Sequence, residues 1–190
     1  FSDDENVRFV VFKLSGLGDS ELLRKMDSGL KLNLEEKLAR DRLIERVDRI
    51  CMEAATHKVR VFLDAEETWF QDATDKIAED MMRKYNDMQA IVYTTVQMYR
   101  VERQRYLKNL LSQAANEKFF VGIKLVRGAY MEKERQHAKT IGEPSPIHKD
   151  KNATDQAYNE ALHLLVDALD HCAFCAGTHN EESTRLLTEL

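Results

Sequence analysis

A lysine interrupts a stretch of the chain that otherwise has the composition of a buried strand. Residues 119–126 are mostly apolar and rich in β-branched and aromatic side chains, as expected of a buried parallel strand, and Lys124 stands among them. An ammonium group there is unfavourable unless a carboxylate or an anionic ligand meets it. Gly128 and Tyr130 follow, and a glycine lets the backbone turn or lets a ligand approach it closely. The segment indicates a ligand site, and a strand end whose lysine reaches solvent explains it equally well.

Polar side chains also follow the other predicted strands. In a parallel sheet the carboxyl ends of the strands meet at one edge, and α/β folds place their ligand sites at that edge. A single residue of this kind, such as Asp64 or His179, could equally cap the next helix. The recurrence after all five strands predicts a functional site. In chain order the residues are Lys13, then Asp64 with Glu66 and Glu67, then Gln97, then Lys124 and Tyr130, and finally His179 and Asn180.

The types of these residues narrow the chemistry. No serine or cysteine stands in a nucleophile motif, which argues against triad hydrolysis. The acidic residues and His179 could hold a metal ion, but lysines on neighbouring strands would repel a divalent cation, so we expect no metal. A cationic pocket instead suits a carboxylate substrate, or a flavin ring whose N5–C4a edge gains charge on reduction.

The residues alone leave a second chemistry open. Lys124 on a barrel strand could form a Schiff base with a carbonyl substrate, as in class I aldolases. Asp64 or Tyr130 would then serve as its acid–base partner. This alternative predicts a lyase that binds no flavin.

Strand-like and helix-like segments alternate along the chain. Short apolar or β-branched runs predict the strands, and apolar residues at helical spacing predict the helices. Asn33 and Glu36 form a capping pair that predicts the start of a helix with Leu34 and Leu38 on its apolar side. Strands are predicted at 9–14, 59–63, 90–96, 119–126 and 172–178, and helices at 33–54, 70–85, 106–114, 131–141, 154–170 and 181–190.

Five successive strand–helix units predict an α/β fold with a parallel sheet. A doubly wound sheet and part of a (βα)8 TIM-like barrel both fit this order. Gly16 and Gly18 do not complete a dinucleotide-binding motif, because Glu21 stands in place of the third glycine. No linker, low-complexity tract or repeat divides residues 1–190, which we therefore interpret as one domain.

The composition limits the class of protein. The 190 residues are 43% hydrophobic and carry a net charge of −5 with acids and bases interspersed, which argues against nucleic acid as a partner. No apolar run is long enough to span a bilayer. Cys172 and Cys175 form a CxxC, but residues three apart on a strand face opposite sides, so we expect buried structural cysteines. The chain begins at Phe1 and ends at Leu190 within a helical stretch, so we expect a piece of a larger protein.

Several segments together resemble the proline dehydrogenase family. The run from Lys124 to Tyr130 and the triplet at 178–180 are the most specific of them. The resemblance is collinear from Val10 to Leu190, and residues 130–144 are more similar to the monofunctional eukaryotic members than to the bacterial bifunctional enzymes. The matching segments are FKLS at 12–15, LDAEE at 63–67, the strand ending in Gln97 and Tyr99, KLVRGAY at 124–130 and THN at 178–180.

The resemblance implies a distorted (βα)8 barrel that binds FAD at the carboxyl edge of its strands. It implies oxidation of L-proline to Δ1-pyrroline-5-carboxylate, with hydride passing from the ring carbon beside the nitrogen to flavin N5, and electrons passing on to a quinone. Hydroxyproline dehydrogenase is the sister activity with the same flavin motifs. Quinone use implies peripheral association with a membrane, and the eukaryotic likeness implies the matrix side of the mitochondrial inner membrane.

The resemblance also implies roles for the matching residues. Lys13 and Asp64 would shape the substrate pocket, Lys13 by attracting the proline carboxylate, and Tyr130 would pack on the substrate ring. Gln97 would hydrogen-bond the isoalloxazine of FAD, and Lys124 would lie near its N5. The remaining cofactor-binding residues would be Val126, Gly128, His179 and Asn180.

The sequence departs from the family at several points. It has no segment that matches the family's first, seventh and eighth strands, or the final helix with the paired arginines that bind the substrate carboxylate. Residues 1–190 would therefore cover about strands 2 to 6, and such a fragment should expose sheet edges and be poorly stable by itself. An inactive truncated barrel is a further alternative. The connection at 19–33 is shorter than the insertion found in many eukaryotic members.

Overall fold

The computed structural model describes residues 9–190, in which five β-strands alternate with seven α-helices. The strands are β1 (Phe9–Phe12), β2 (Arg60–Leu63), β3 (Val92–Gln97), β4 (Val121–Val126) and β5 (Cys172–Gly177). The helices are α1 (Ser20–Asp27), α2 (Leu34–Thr56), α3 (Gln71–Tyr85), α4 (Arg103–Glu117), α5 (Met131–Ile141), α6 (Lys151–Val166) and α7 (Glu181–Glu189). Short 3-10 turns at Leu14–Gly16 and Thr68–Phe70 follow β1 and β2.

The five strands form one parallel sheet in the order β1-β2-β3-β4-β5. This order follows the chain, whereas a doubly wound sheet reverses its direction at a switch point. Six of the helices, all except α5, share a single large core with one face of the sheet. Sequential order and one-sided helices exclude the doubly wound alternative and confirm the prediction of a barrel-type α/β sheet.

The two faces of the sheet differ because side chains alternate along each strand. Val92 and Ile123 point into the large core that the helices cover. Phe62 and Tyr93 form the centre of a smaller cluster on the opposite, inner face. Phe9 on the edge strand stacks on Phe62 with ring centroids 4.5 Å apart and is 43% exposed. The inner face therefore carries an apolar cluster, and this cluster is partly exposed at Phe9.

The register aligns the carboxyl ends of the strands. Phe12 is the partner of Leu63, Gln97 is the partner of Val126, and Val126 is the partner of Gly177. The residue that follows each strand therefore emerges at the same edge of the sheet, as the sequence predicts. This edge carries the candidate site.

Helix α2 begins where the capping pair predicts. The Asn33 side chain accepts a hydrogen bond from the Glu36 N–H, and the Glu36 side chain accepts one from the Asn33 N–H. The predicted apolar side is wrong in the first turns, because Leu34 is 75% exposed and Leu38 is 50% exposed. Core packing of α2 begins at Leu43, where the helix approaches α3 and β2.

Helix α1 is an element that the sequence does not predict. Its eight residues fully bury only Leu22 and Leu23, and so short an apolar pattern does not distinguish a helix from a loop. The Asp19 carboxylate caps it by accepting hydrogen bonds from the N–H groups of Glu21 and Leu22. Helix α1 packs against α3 and occupies the connection between β1 and α2.

The cysteines of the CxxC lie on opposite faces of the sheet, as predicted. Cys172 belongs to the large core, whereas Cys175 packs beside the cluster of Phe62 and Tyr93. Burial raises the pKa of the Cys172 thiol to about 12, so it stays protonated and unreactive at neutral pH. No helix within residues 9–190 has both the length and the apolar content needed to cross a bilayer.

Candidate active site

A cleft of about 620 Å³ opens at the carboxyl edge of the sheet. It is lined by residues from the ends of all five strands, because the parallel register brings those ends level with one another. Glu66 and Glu67, which the sequence places beside Asp64, do not line it, whereas every residue to which the resemblance assigns a role lies on its wall. These residues are Lys13, Asp64, Gln97, Lys124, Val126, Gly128, Tyr130, His179 and Asn180.

An ion pair joins the second and fourth strands across the floor of this cleft. The Nζ atom of Lys124 donates to Oδ1 of Asp64 at 2.5 Å, and the two side chains are 23% and 24% exposed. The hydroxyl oxygen of Thr95, on the strand between them, lies 2.8 Å from the Leu63 carbonyl oxygen and 3.4 Å from Asp64 Oδ1. Asp64 is thus the partner that a lysine within a buried strand requires.

Lys13 and Tyr130 meet on the wall of the cleft above this pair. Lys13 Nζ donates to the Tyr130 hydroxyl at 2.8 Å and lies 5.5 Å from the centroid of its ring. This hydrogen bond raises the pKa of Lys13 above its ordinary 10.5, and although burial lowers it, the charges of Glu66 and Asp64 raise it further. Lys13 is therefore a cation at neutral pH with its ammonium group open to the cleft.

The side-chain oxygen of Gln97 is a hydrogen-bond acceptor that has no donor in the described part of the chain. Its side chain is 3% exposed, and its Oε1 atom accepts no hydrogen bond from any group in residues 9–190. A buried acceptor in this state is unfavourable by about 1–3 kcal/mol. Val126, its register partner on β4, adds a half-buried apolar side chain beside it. This part of the wall is suited to a flat ligand that brings an N–H group.

Gly128 is required by the packing of the backbone. Its φ is +134°, which L side chains rarely adopt, and a Cβ atom there would lie 2.5 Å from the ring of Tyr99. The Tyr99 N–H donates to the Arg127 carbonyl at 2.7 Å, which fixes the strand end against this ring. Of the two uses that the sequence suggests for this glycine, the structure shows the backbone turn.

His179 and Asn180 follow β5 at the cleft, and one of them also has a structural role. The Asn180 side chain accepts a hydrogen bond from the Ser183 N–H at 2.9 Å and so caps α7. His179 is exposed at the rim. A cofactor-binding role for either residue stays a prediction.

Arg127 lines the same cleft, although sequence reasoning does not name it as a site residue. Its guanidinium donates to Asp155 at 2.6 Å, Thr178 at 2.7 Å and Ser183 at 2.9 Å, and lies 4.4 Å from the ring centroid of Tyr158. These bonds connect the ends of β4 and β5 to α6 and α7. The signal that could have found Arg127 is its position directly after β4, within the specific run at 124–130.

Comparison with known proteins gives the family. A family model described as proline dehydrogenase matches residues 5–190. The chain belongs to the proline dehydrogenase family.

Relatives in this family differ in name and in source. The carbapenem antibiotics biosynthesis protein CarD of Pectobacterium carotovorum subsp. carotovorum is 34% identical over 183 residues, which cover 96% of this chain and 48% of the relative. The mitochondrial proline dehydrogenase 1 of Drosophila melanogaster is 39% identical over 161 residues, which cover 80% of this chain and 24% of the relative. A hydroxyproline dehydrogenase of Xenopus laevis is 33% identical over 144 residues, which cover 74% of this chain and 31% of the relative. The chain thus spans less than half of the length of each of these relatives.

A solved structure shares the fold of this chain. The crystal structure of proline utilization A (PutA) from Bdellovibrio bacteriovorus inactivated by N-propargylglycine superposes with a TM-score of 0.81 at 18% identity, covering 94% of this chain and 18% of that one. This likeness supports the prediction that the five strands are part of a TIM-like barrel.

The cleft residues fit the flavin that the proline dehydrogenase family implies. The unpaired oxygen of Gln97 can accept from an imide N–H of an isoalloxazine, and the ammonium group of Lys124 can stabilise the negative charge of a reduced ring. Lys151 lines the cleft as a further cation. Residues 9–190 contain no group of three or more acidic, histidine or cysteine side chains arranged to hold a metal ion.

Proposed function

We propose that the protein is an FAD-dependent dehydrogenase that oxidises L-proline to Δ1-pyrroline-5-carboxylate, and that residues 1–190 form part of its FAD-binding barrel domain. One observation carries the proposal: the Lys13–Tyr130 and Lys124–Asp64 pairs line the same cleft as Gln97, whose buried side-chain oxygen has no donor within residues 9–190. A cation for a carboxylate, a carboxylate for an amine and an acceptor for a ring N–H are what a cyclic amino acid and a flavin require.

Lys13 and Tyr130 would bind the substrate from one side. The ammonium of Lys13 attracts the proline carboxylate, and its bond to the Tyr130 hydroxyl limits the positions that the flexible lysine stem can adopt. The aromatic ring of Tyr130 offers an apolar surface to the saturated ring of proline. These two contacts would orient the substrate without taking part in bond breaking.

Asp64 would face the substrate nitrogen. Its Oδ1 atom carries the contacts with Lys124 and Thr95, so the other oxygen is left to accept from a substrate N–H. During oxidation the ring carbon loses a hydride, the C=N bond forms and positive charge develops on the nitrogen. A carboxylate held beside that nitrogen stabilises this charge, and the ion pair with Lys124 fixes the orientation of the carboxylate.

The cofactor would be held by the residues that the sequence resemblance implies. They are Gln97, Lys124, Val126, Gly128, His179 and Asn180. When bound, FAD supplies the hydride acceptor. The apolar cluster of Phe62 and Tyr93 on the inner face would help to exclude water from the reacting atoms.

The electrons would pass to a quinone. Because quinones reside in membranes, the protein would associate with a membrane surface. We propose the matrix side of the mitochondrial inner membrane, and the name of the Drosophila relative, which includes the word mitochondrial, supports the compartment.

Hydroxyproline is the second candidate substrate. The Xenopus relative named hydroxyproline dehydrogenase matches 74% of this chain at 33% identity. In this proposal Lys13 contacts the substrate carboxylate, Asp64 the nitrogen and Tyr130 the ring face. Proline and hydroxyproline share all three groups, so these contacts do not distinguish the two substrates. A Schiff-base lyase is less favourable, because Lys124 donates its amine to Asp64 instead of presenting it as a nucleophile.

Anaerobic reduction of the bound flavin tests the proposal. The protein would be purified at the full length that its gene encodes, its flavin spectrum recorded without oxygen, and L-proline and trans-4-hydroxy-L-proline added separately. Bleaching by proline is the expected result, and preferential bleaching by hydroxyproline would transfer the assignment to the sister activity. A yellow protein that neither amino acid reduces would overturn the substrate. A colourless protein that traps a carbonyl compound on Lys124 with borohydride would overturn the flavin as well.

A further inference from the structure

The segment that follows β2 contacts the loop after Lys13 and the helix that follows Tyr130. This segment, residues 64–68, has the sequence DAEET, and the proposed chemistry uses only its first residue. Glu66 and Glu67 are 7% and 8% exposed, which is unusual for glutamates on a loop. Their burial indicates a function in holding other groups.

Glu66 holds the loop of Lys13. Its two carboxylate oxygens accept from the Ser15 backbone N–H at 3.2 Å and from the Ser15 hydroxyl at 2.6 Å. Ser15 lies two residues after Lys13, in the 3-10 turn that ends β1. Glu66 itself is fixed, because its N–H donates to the side chain of Gln71 at 3.0 Å. The two contacts connect residues that are 51 positions apart in the chain.

Glu134 holds the loop of Tyr130 in the same way. It is 1% exposed, and its oxygens accept from the Thr68 backbone N–H at 2.7 Å and from the Thr68 hydroxyl at 2.5 Å. Its own N–H donates to the Tyr130 carbonyl at 2.9 Å, in the first turn of α5. An ion pair between Lys133 and Glu67 adds a second connection between α5 and the segment at 64–68.

Neither Glu66 nor Glu134 forms a salt bridge with a cation in residues 9–190. A buried carboxylate satisfied by hydrogen-bond donors alone depends on the position of those donors. Moving the Ser15 loop or the Thr68 turn would therefore leave a buried charge without partners. The segment at 64–68 is held against the Lys13 loop on one side and against α5 on the other.

We propose that Glu66 and Glu134 are positioning residues that bring Lys13 and Tyr130 together across the cleft. The inference rests on the proposed function for its kinetic readout. Lys13 has a long exposed stem, and its ammonium meets the Tyr130 hydroxyl only if both loops keep their places relative to Asp64. Loss of the Glu66–Ser15 contacts or of the Glu134–Thr68 contacts would weaken binding of a carboxylate substrate more than it would slow the chemical step.

The kinetic test compares variants that remove the acceptors with variants that keep one. In the flavin-loaded, full-length protein, we expect E66L and E134L to raise KM for proline about tenfold while kcat changes less than threefold. E66Q and E134Q retain an amide oxygen for the backbone N–H, and the Ser15 or Thr68 hydroxyl can turn to accept from the amide, so KM should return to within about threefold of wild type. The matched control is D48L, which removes the acceptor of Lys84 and Tyr85 on the outer helices and should leave KM unchanged.

A second readout follows Lys13 without any substrate. The rate at which an amine-reactive acylating reagent labels Lys13 would be measured against pH by peptide mass spectrometry. Because the charge of Glu66 stabilises the ammonium, E66Q should shift this profile to lower pH, and D48L should not. S15A, which removes only the hydroxyl donor, covers the case in which E66L does not fold, and it should raise KM about threefold.

The outcomes separate the two proposals. Unchanged KM in S15A and E66L, together with an unchanged Lys13 profile in E66Q, would overturn the positioning role. A fall in melting temperature with equal KM in every folded variant would also overturn it, because a purely structural role predicts that result. If proline does not reduce the wild-type flavin, the proposed function fails, and the Lys13 profile then decides the positioning role by itself.

Discussion

Lys124 and Asp64 form an ion pair 2.5 Å long although a whole strand separates them. Lys124 extends from β4 and Asp64 follows β2, so the pair spans β3 above Thr95. Both side chains are about three-quarters buried, which makes the interaction stronger than that of a solvated surface pair. The pair defines the floor of the cleft and the electrostatic character of the site.

Replacing Lys124 with methionine should abolish most of the activity. K124M keeps the length of the side chain but leaves Asp64 without its cation, so the carboxylate loses its orientation and the flavin loses a positive neighbour. We expect kcat/KM for proline to fall about 100-fold, which corresponds to about 2.7 kcal/mol. Steady-state kinetics corrected for flavin content would measure this.

The matched control for this variant is K84M. Lys84 pairs with Asp48 at 2.6 Å on the outer helices, so the same substitution breaks a similar contact far from the cleft. K84M should leave kcat/KM within about twofold of wild type, since surface pairs contribute little. Equal losses in both variants would show that Lys124 acts through stability alone.

The charge of Lys13 should persist to unusually high pH. The hydrogen bond to Tyr130 raises the pKa of Lys13 above 10.5 in the folded protein. A raised lysine pKa means that the stabilising contact is complete below the ordinary value and is lost as the pH rises through the folded value. We expect the affinity for cyclopentanecarboxylate, which has no titrating amine, to stay constant up to about pH 10 and to fall above it.

The Y130F variant tests the cause of this shift. It keeps the ring but removes the hydroxyl, so the fall in affinity should move to lower pH. Flavin difference spectra at a series of pH values would give the dissociation constants. A profile that is the same in Y130F and wild type would contradict the assignment of the shift to this hydrogen bond.

Gly128 should not tolerate a side chain. At φ +134° an alanine is strained, and its Cβ would overlap the ring of Tyr99 at 2.5 Å. We expect G128A to lower the free energy of unfolding by about 3 kcal/mol. G142A is the control, because Gly142 also has a positive φ of 74° but open space around it, so only about 1 kcal/mol of strain is expected. Chemical denaturation of both variants would measure the difference, and equal losses would exclude a role for the Tyr99 contact.

The sequence predicts the members of the cleft because their positions follow from local signals. Lys124 lies in a strand that is apolar enough to be recognised, and parallel pairing then aligns its end with that of every neighbour. The resemblance adds the expected roles. Even so, Asn180 shows that position does not determine function, since its side-chain oxygen caps α7.

Contacts between distant loops could not be predicted in the same way. Ser15 and Glu66 are 51 residues apart, and Thr68 and Glu134 are 66 apart. All four are ordinary polar residues whose types allow many partners, so only the folded structure selects one. Helix α1 escapes prediction for a related reason, because its stability comes from packing on α3 and from its cap rather than from a long apolar stripe.

The buried pair of Arg103 and Asp75 should be essential for stability. The two side chains are 2% and 4% exposed, and their nearest atoms are 2.5 Å apart between α3 and α4. R103M would leave the Asp75 carboxylate buried without its cation, at a cost of about 3–5 kcal/mol. R185M is the control, because Arg185 and Glu189 are 70% and 58% exposed and should contribute less than about 0.5 kcal/mol. A loss below about 1 kcal/mol in R103M would show that Asp75 is satisfied by its other neighbours.

Replacing Gln97 should weaken binding of the flavin without destabilising the flavin-free protein. Its buried oxygen has no donor within residues 9–190, so Q97L removes an unsatisfied acceptor and should leave the flavin-free protein as stable as wild type, or more stable by about 1 kcal/mol. The flavin should bind about tenfold more weakly, because the variant cannot accept its N–H. Thermal melts of the flavin-free protein and fluorescence titration with FAD measure the two effects.

The control for Gln97 is the other buried glutamine at this edge. Gln71 accepts from the Glu66 N–H at 3.0 Å and donates to Asp75 at 3.0 Å, so its polar atoms are already paired. Q71L should therefore destabilise the flavin-free protein by about 1–3 kcal/mol. A Q97L variant that is destabilised as much as Q71L, yet binds FAD normally, would show that Gln97 has a protein partner and no role toward the flavin. Opposite signs of the two stability changes would identify Gln97 as a ligand-facing residue.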